Sequence, residues 1–275
     1  MIKIMLDSAS DCRPADSFCD YFVPISIHVN NNDYLDGVTL ERDGFYQLLT
    51  ESREFPKTSQ PSPQTFLEQF EQAKAKGDEV IYFSVAADLS GTYQSASLAK
   101  QMADYDKIHL VDSSYATHMI RILAEYAAKL AAEGLSAEAI VEKCEALKPR
   151  LRVFAVVDTL EYLFRGGRLS RTEAALGELA RIKPVITIRD SQVQAIHKAL
   201  GRARAVQFIM KQLEESGFDP DFPIYSLYTY GEENVAQLEK HLGQKNYPLT
   251  KRLQIGSSIG SHVGPGLYGL CYVAK

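Results

Sequence analysis

The chain has 275 residues, of which 45% are hydrophobic, so it can form enough core for one large or two modest domains. Its formal net charge of −5 argues against a nucleic-acid partner, and no apolar run approaches the ~18 residues of a transmembrane helix. The apolar start reaches Asp7 too soon for a signal peptide, and the four cysteines lack a C-x-x-C pair, so we expect a cytoplasmic protein with reduced thiols.

The first half of the chain alternates between buried strands and helices. Apolar runs predict strands at 2–6, 21–29, 79–87 and 107–113. Helical periodicity predicts helices at 42–51, 64–77, 91–103, 118–134 and 136–148. Ser62 and Ser136 are predicted N-caps, and Gly77 is a predicted helix stop. Because buried strands between helices are typical of a parallel sheet with right-handed crossovers, we predict an α/β domain over residues 1–149.

The second half has a different pattern. Two alternating runs at 183–200 meet at Asp190-Ser191, which predicts a hairpin. Further strands are predicted at 151–159, 223–231, 249–256 and 267–274, and helices at 171–181, 203–217 and 233–243. Hairpins combined with helices indicate an α+β domain with a mixed, largely antiparallel sheet over residues 150–275.

Hydroxyl-rich loops follow three predicted strands of the first half. They are "DSASD" (7–11), "ADLSGTYQSA" (87–96) and "DSSYAT" (112–117). A fourth polar segment, "KTSQPSP" (57–63), is stiffened by its prolines. Ligands of open parallel sheets bind beyond the carboxyl ends of the strands, so we expect Thr58 and Ser90 in loops at one edge of the first sheet. There Gly91 and free helix N–H groups favour an anion, although helix capping by Ser90 or Thr92 is the alternative interpretation.

The segment "IGSSIGSHVGPG" (255–266) is interpreted as a loop that brings backbone amides and His262 to a bound group. Lone histidines are more often surface or hydrogen-bonded residues, and the other five are assigned that role. The sequence has no Walker A, no G-x-S-x-G, no G-x-G-x-x-G after a strand and no metal-spaced cluster, so no nucleotide or metal is expected. Ser90 with His262 would form a hydrolase pair, but Ser90 is not in a nucleophile-elbow motif and no acid that would orient the histidine is evident.

Six motifs in a fixed order extend over the whole chain. They are "DSASD", "KTSQPSP", "LSGTYQSA", "VDSSYAT", "LEYLFRGGRLS" and "GSHVGPG". Together they resemble the DegV family, whose members are bacterial, cytosolic and two-domain, with a parallel first sheet and a mixed second domain. Two departures are small. "DSASDCRP" has Cys-Arg where the family usually has Leu before Pro, and Phe164 replaces a commonly basic residue, which alters a partner surface.

The resemblance implies a lipid-binding protein that is not itself an enzyme. DegV members bind one long-chain fatty acid, and in their best understood role they are the acyl-binding subunit of fatty acid kinase. The implied partners are therefore this fatty acid and a separate ATP-dependent kinase, with no cofactor. Thr58 and Ser90 match the hydroxyls that hold the carboxylate, and His262 matches the nearby histidine. Ser59, Gly91 and Thr92 complete the predicted site. A monomer with transient membrane contact for lipid exchange is expected.

The segments "FRGGRLSR" and "GRAR" place five arginines in two clusters on an otherwise acidic protein. They are Arg165, Arg168, Arg171, Arg202 and Arg204. We interpret them as a kinase dock or a phosphate contact, and a solvated basic surface is the alternative. Two other functions stay open at this point, a stand-alone hydrolase or phosphoryl transferase and a lipid-sensing regulator. The missing nucleotide motifs argue against phosphorylation without a partner.

Overall fold

The structure is a computed structural model, which describes residues 1–52, 54–170 and 181–275. The strands in these ranges are β1 Ile2–Asp7, β2 Tyr21–Val23, β3 Ser26–Val29, β4 Asn32–Leu35, β5 Lys57–Ser59, β6 Glu79–Ser84, β7 Ile108–Asp112, β8 Leu151–Val156, β9 Ile182–Arg189, β10 Gln192–Leu200, β11 Ile224–Tyr228, β12 Leu249–Gln254 and β13 Tyr268–Val273. The helices are α1 Arg42–Glu51, α2 Pro63–Lys76, α3 Thr92–Ala103, α4 His118–Ala132, α5 Ala137–Leu147, α6 Glu161–Arg165, α7 Arg202–Ser216, α8 Glu233–Gln244 and α9 Ser257–Val263. No helix in these ranges is long and apolar enough to cross a bilayer.

The first half forms a four-stranded sheet in the order β2-β1-β6-β7, and all of its neighbouring strands are parallel. The predicted α/β class is confirmed.

Local signals set the helix boundaries. Ser62 caps α2 by accepting from the Thr65 N–H, Pro63 takes its first position, and Gly77 ends it with a φ of 70°. Ser136 caps α5 in the same way, through the Ala139 N–H.

The second half forms a six-stranded sheet in the order β10-β9-β8-β13-β11-β12. The pair β11 and β12 is parallel, and the other neighbouring pairs are antiparallel, which confirms the predicted mixed sheet. Asp190 and Ser191 join β9 to β10 with φ of 52° and 60°, the conformation of a type I′ hairpin turn. The predicted helix 171–181 lies outside the described residues except for Arg181.

A third, small sheet has the antiparallel order β4-β3-β5, and the sequence did not reveal it. The prediction of one strand over 21–29 is wrong, because the run is divided at Pro24 between the parallel sheet and this small sheet. Proline has no N–H for a strand ladder, so the run breaks there. The next N–H, that of Ile25, donates to the Ser8 hydroxyl at 2.9 Å instead.

The segment 255–266 is not a loop, because Ser257–Val263 form helix α9. Helix α9 contacts α1, α6, β3 and β5. Gly260 allows the close packing on α1, since a Cβ there would lie 2.5 Å from Tyr46 Oη and 2.8 Å from Phe45 Cε1.

The largest hydrophobic cluster joins both halves through residues such as Leu6, Ile81, Val153 and Leu227. The division near residues 149 and 150 stays a prediction.

Candidate functional site

A cavity of about 400 Å³ lies between the carboxyl ends of the parallel strands and one face of the six-stranded sheet. The second half contributes an apolar wall to it, which consists of Val153, Ala155, Ile186, Ile188, Val193 and Leu227. Ala9, Ile25 and Val85 extend the apolar lining on the other side. Polar side chains also line this cavity, among them Thr58, Ser59, Gln60, Ser90, Arg168 and His262. Such a cavity suits a ligand with a long apolar part and a small polar group.

Thr58 and His262 form the centre of the polar group, although 204 residues separate them in sequence. Thr58 Oγ1 lies 2.9 Å from His262 Nε2. Thr58 is on strand β5 of the small sheet, so the expectation that it lies in a loop at the edge of the parallel sheet is wrong. Burial, and then the nearby Arg168 guanidinium, lower the pKa of His262 to about 4. The imidazole is therefore neutral near pH 7, and its Nδ1 has no hydrogen-bond partner among the described residues.

Ser90 lies in the loop between β6 and α3, where it was expected. Its Oγ is 2.8 Å from Thr92 Oγ1 and accepts weakly from the Thr92 N–H at 3.4 Å. Ser90 is therefore not hydrogen-bonded to His262, whose Nε2 contacts Thr58, and the hydrolase pair does not form. Gly91 lines the cavity, whereas Thr92 is fully buried behind Ser90. Ser59 also lines the cavity, but its Oγ is 2.8 Å from His28 Nε2.

Gln60 connects the two hydroxyl-bearing segments, a role that sequence reasoning missed. Its side-chain amide donates to Ser95 Oγ on α3 at 3.0 Å. Its Oε1 lies so close to the Ser90 loop that a Cβ at Gly91 would approach it to 1.9 Å. Gln60 thereby fixes the strand of Thr58 against the loop of Ser90. The sequence shows Gln60 next to Ser59 and Pro61, but it does not show that Ser95 is its hydrogen-bond partner.

Arg168 lies in the cavity wall, whereas the other described arginines of the two clusters lie outside it. Its guanidinium donates to the Leu89 carbonyl oxygen at 2.8 and 3.0 Å and also to that of Gly166. Burial lowers the pKa of Arg168 from its usual 12.5, yet the group stays charged at neutral pH. Arg168 therefore supports the Ser90 loop and supplies positive charge near the ligand space.

The other described arginines of the two clusters occupy exposed positions. Arg165 pairs with Glu161 at 2.7 Å and lies over the Phe55 ring at 4.2 Å. Arg202 and Arg204 are exposed at the start of α7. Arg171 lies outside the described residues.

The fold brings together three side chains of types that can bind a metal ion, although they are far apart in the sequence. The ligand atoms of Glu79, His109 and Glu138 lie within 4.8 Å of one another. His109 Nε2 contacts Glu79 Oε1 at 2.9 Å, and hydrogen bonds at the start of α5, first to its own backbone N–H, lower the pKa of Glu138. These contacts account for all three side chains, and none of the three lines the cavity.

Three comparisons with known proteins agree with this architecture. A family model described as "Uncharacterised protein, DegV family" matches residues 1–275. A DegV domain-containing protein of Caldanaerobacter subterraneus subsp. tengcongensis is 36% identical over 280 residues, covering 100% of this chain and 99% of the relative.

Among solved structures, a fatty-acid-binding DegV family protein from Thermus thermophilus is 32% identical, with a TM-score of 0.89 and coverage of 100% and 99% of the two chains. The Streptococcus pneumoniae Fatty Acid Kinase (Fak) B3 protein, loaded with linoleic acid, is 25% identical, with a TM-score of 0.89 and full coverage of both chains. The resemblance found in the motifs thus extends to the complete fold.

Proposed function

Because the chain belongs to the DegV family, we propose that it binds one long-chain fatty acid, with the tail along the apolar wall of the cavity and the carboxylate at Thr58, Ser90 and His262. The observation that carries this proposal is the cavity of about 400 Å³, whose apolar wall meets a compact polar group. The relatives that bind fatty acids support it.

The tail would supply most of the affinity. Burying ~14 methylenes at about 0.8 kcal/mol each gives about 11 kcal/mol before other terms. Ordering the chain and removing its free motion offset several kcal/mol of this gain. The residual is still enough for tight binding, so the head group chiefly decides which lipids are accepted.

The carboxylate needs donors, because a buried charge without them is strongly destabilising. A carboxylate only accepts, so the Thr58 hydroxyl has to donate to it. His262 Nε2 must then donate to Thr58 Oγ1, which fixes the neutral imidazole in its Nε2–H form and leaves Nδ1 as a free acceptor. Ser90 donates to the ligand when Thr92 donates to Ser90, and Arg168 provides the balancing charge.

We further propose that the protein presents this carboxylate to a separate ATP-dependent kinase, which forms the acyl phosphate. The support is the similarity to the Fak B3 protein and the absence of nucleotide motifs from the sequence. Arg202 and Arg204 are exposed and free to meet such a partner. In this role the protein acts as a cytoplasmic monomer with transient membrane contact for lipid exchange.

The first experiment is organic extraction and mass spectrometry of the gently purified protein. We expect about one long-chain fatty acid per monomer. A lipid-free protein that also fails to bind added fatty acid would refute the proposal.

The second experiment compares affinity for hexadecanoic acid with affinity for its methyl ester. A hydrogen bond to a charged group contributes about 1.5–3 kcal/mol, so Thr58→Ala and Ser90→Ala should each weaken acid binding by about ten- to a hundredfold. The double variant should lose less than the sum, because both hydroxyls share one acceptor group. If the double variant still prefers the acid as the wild type does, the carboxylate is bound elsewhere.

A further inference from the structure

The start of helix α9 is held by two buried carboxylates from the first half of the chain. Asp36, which is fully buried, accepts from the Ser258 N–H at 2.9 Å, the Ser258 hydroxyl at 2.6 Å and the Ser257 N–H at 3.3 Å. Asp11 accepts from the Gly256 N–H at 2.7 Å. The first N–H groups of a helix lack partners within the helix, and a negative charge there is favourable. These bonds therefore fix where α9 begins.

Asp36 also belongs to the sheet that carries Thr58. It follows β4 directly, and its own N–H donates to the Ile25 carbonyl at 3.0 Å, next to β3. Strand β5, with Thr58, pairs with the other edge of β3. One small sheet thus holds Thr58 through its backbone and the helix of His262 through the Asp36 carboxylate.

Because α9 is rigid, the position of its first residues sets the position of His262, which with Thr58 and Ser90 forms the proposed head-group site. His262 lies four residues after Ser258, about one turn or ~6 Å along a rigid helix. A shift or rotation at Ser258 therefore moves the imidazole relative to Thr58, whose Oγ1 is 2.9 Å away.

We propose that Asp36 is a positioning residue, which sets the Thr58–His262 geometry and so the preference of the site for a free carboxylate. This inference rests on the proposed fatty-acid binding and extends it. Asp36 itself does not line the cavity.

The decisive variant is Asp36→Asn. Both Ser257 and Ser258 present backbone N–H groups to the carboxylate, one to each oxygen, and the Arg13 guanidinium donates to one of these oxygens at 3.3 Å. A backbone N–H can only donate, and the NH₂ of an asparagine can only donate too. In either orientation of the asparagine amide, its NH₂ therefore faces one of the two backbone N–H groups. The start of α9 has to move away from this contact.

Two buried carboxylates serve as matched controls. Asp7 is equally buried and also accepts one backbone N–H on each oxygen, from Ala9 at 2.9 Å and from Val85 at 3.1 Å. Asp7→Asn therefore creates the same conflict as Asp36→Asn, but at a carboxylate that does not contact α9. Asp11 receives one N–H, from Gly256, and one hydroxyl, from Thr117 at 2.5 Å. Since the hydroxyl can turn and accept, an asparagine at position 11 keeps both bonds.

The measurement is the ratio of affinities for hexadecanoic acid and methyl hexadecanoate. We expect this ratio to fall by about tenfold in Asp36→Asn, or about 1.4 kcal/mol, with ester affinity nearly unchanged. Asp7→Asn and Asp11→Asn should keep the wild-type ratio. A general loss of stability would lower both affinities together and leave the ratio unchanged.

Three outcomes separate the hypotheses. A wild-type protein that does not prefer the acid refutes the proposed function itself. A wild-type preference that persists in Asp36→Asn refutes the positioning role alone, as does an equal loss in Asp7→Asn. If Asp36→Asn does not fold, Ser258→Ala provides the test. Ser258 lines the cavity, but its hydroxyl donates its one proton to Asp36 and lies 3.0 Å from Ser8 Oγ, so it has no proton left for a carboxylate. Its ratio should fall by about threefold, or ~0.7 kcal/mol, and an unchanged ratio overturns the inference.

Discussion

One added methyl group at Gly166 should weaken the proposed head-group site without filling the cavity. A Cβ at this position would lie 2.2 Å from His262 Nδ1, 3.0 Å from His262 Cε1 and 3.1 Å from the Tyr162 carbonyl oxygen. The backbone of Gly166 has a φ of −74°, which alanine adopts freely. The severe clash of Gly166→Ala is therefore with the His262 imidazole, and the variant adds no φ strain.

The size of the effect follows from these distances. Ordinary contact begins at about 3.5 Å, so the imidazole has to move by about 1.3 Å. Gly166 faces Nδ1 and Thr58 faces Nε2, so the ring cannot retreat directly and has to rotate. That rotation breaks the 2.9 Å contact with Thr58. Without the imidazole to hold Thr58 Oγ1, the Thr58 hydroxyl is no longer aimed at the carboxylate. Weakening that one hydrogen bond to the ligand by about 1 kcal/mol should lower acid affinity about fivefold.

Calorimetric titration with hexadecanoic acid and its methyl ester measures this effect. The acid should bind about fivefold more weakly to Gly166→Ala, while the ester should bind nearly as to the wild type. Gly243→Ala is the matched control, because a Cβ at Gly243 in α8 meets nothing within 4 Å. If Gly166→Ala and Gly243→Ala both bind the acid like the wild type, the imidazole does not take part in head-group recognition.

Two further predictions concern the partner and the pH. Arg202→Glu combined with Arg204→Glu should slow acyl phosphate formation by the proposed partner kinase severalfold, because charge steers association. Fatty-acid affinity should stay within about twofold, and unchanged acyl phosphate production excludes this surface as the dock. Burial and Arg168 lower the pKa of His262 from 6.5 to about 4, so the unfolded chain takes up a proton before the folded protein does. As the pH falls from about 6.5 to about 4, the wild type should therefore lose stability relative to His262→Gln. Melting temperatures of both proteins at about pH 8 and about pH 5 test this, and a constant difference contradicts it.

Much of the fold was predictable because its signals are local. Ser62, Pro63 and Gly77 set the ends of α2 through contacts within a few residues, and Asp190-Ser191 forms its hairpin turn without distant help. One local signal, the proline at position 24, was given too little weight. The apolar run from Tyr21 to Val29 looks continuous, but its two parts join different sheets.

The motifs anticipated three residues that line the cavity but not how the fold assembles them, and the role of these residues in binding stays a prediction. Thr58, Ser90 and His262 carried the motif resemblance, and the fold brings all three to one cavity. The glycine-rich 255–266 segment looked like a loop, because the acceptors for its first N–H groups come from Asp36, more than 200 positions earlier. The bridge made by Gln60 was missed for the same reason, since Ser95 is 35 positions away.

The position of β13 within the six-stranded sheet affects how this protein is made. Strand β13 pairs with β8 on one side and β11 on the other, so it lies in the interior of the sheet although it is synthesised after every other strand described. Until the ribosome releases it, β8 and β11 have no common neighbour, and the wall that includes Val153 and Leu227 is incomplete. A nascent chain that lacks β13 therefore lacks a complete cavity wall, and under the proposed function we expect lipid loading to follow the synthesis of β13.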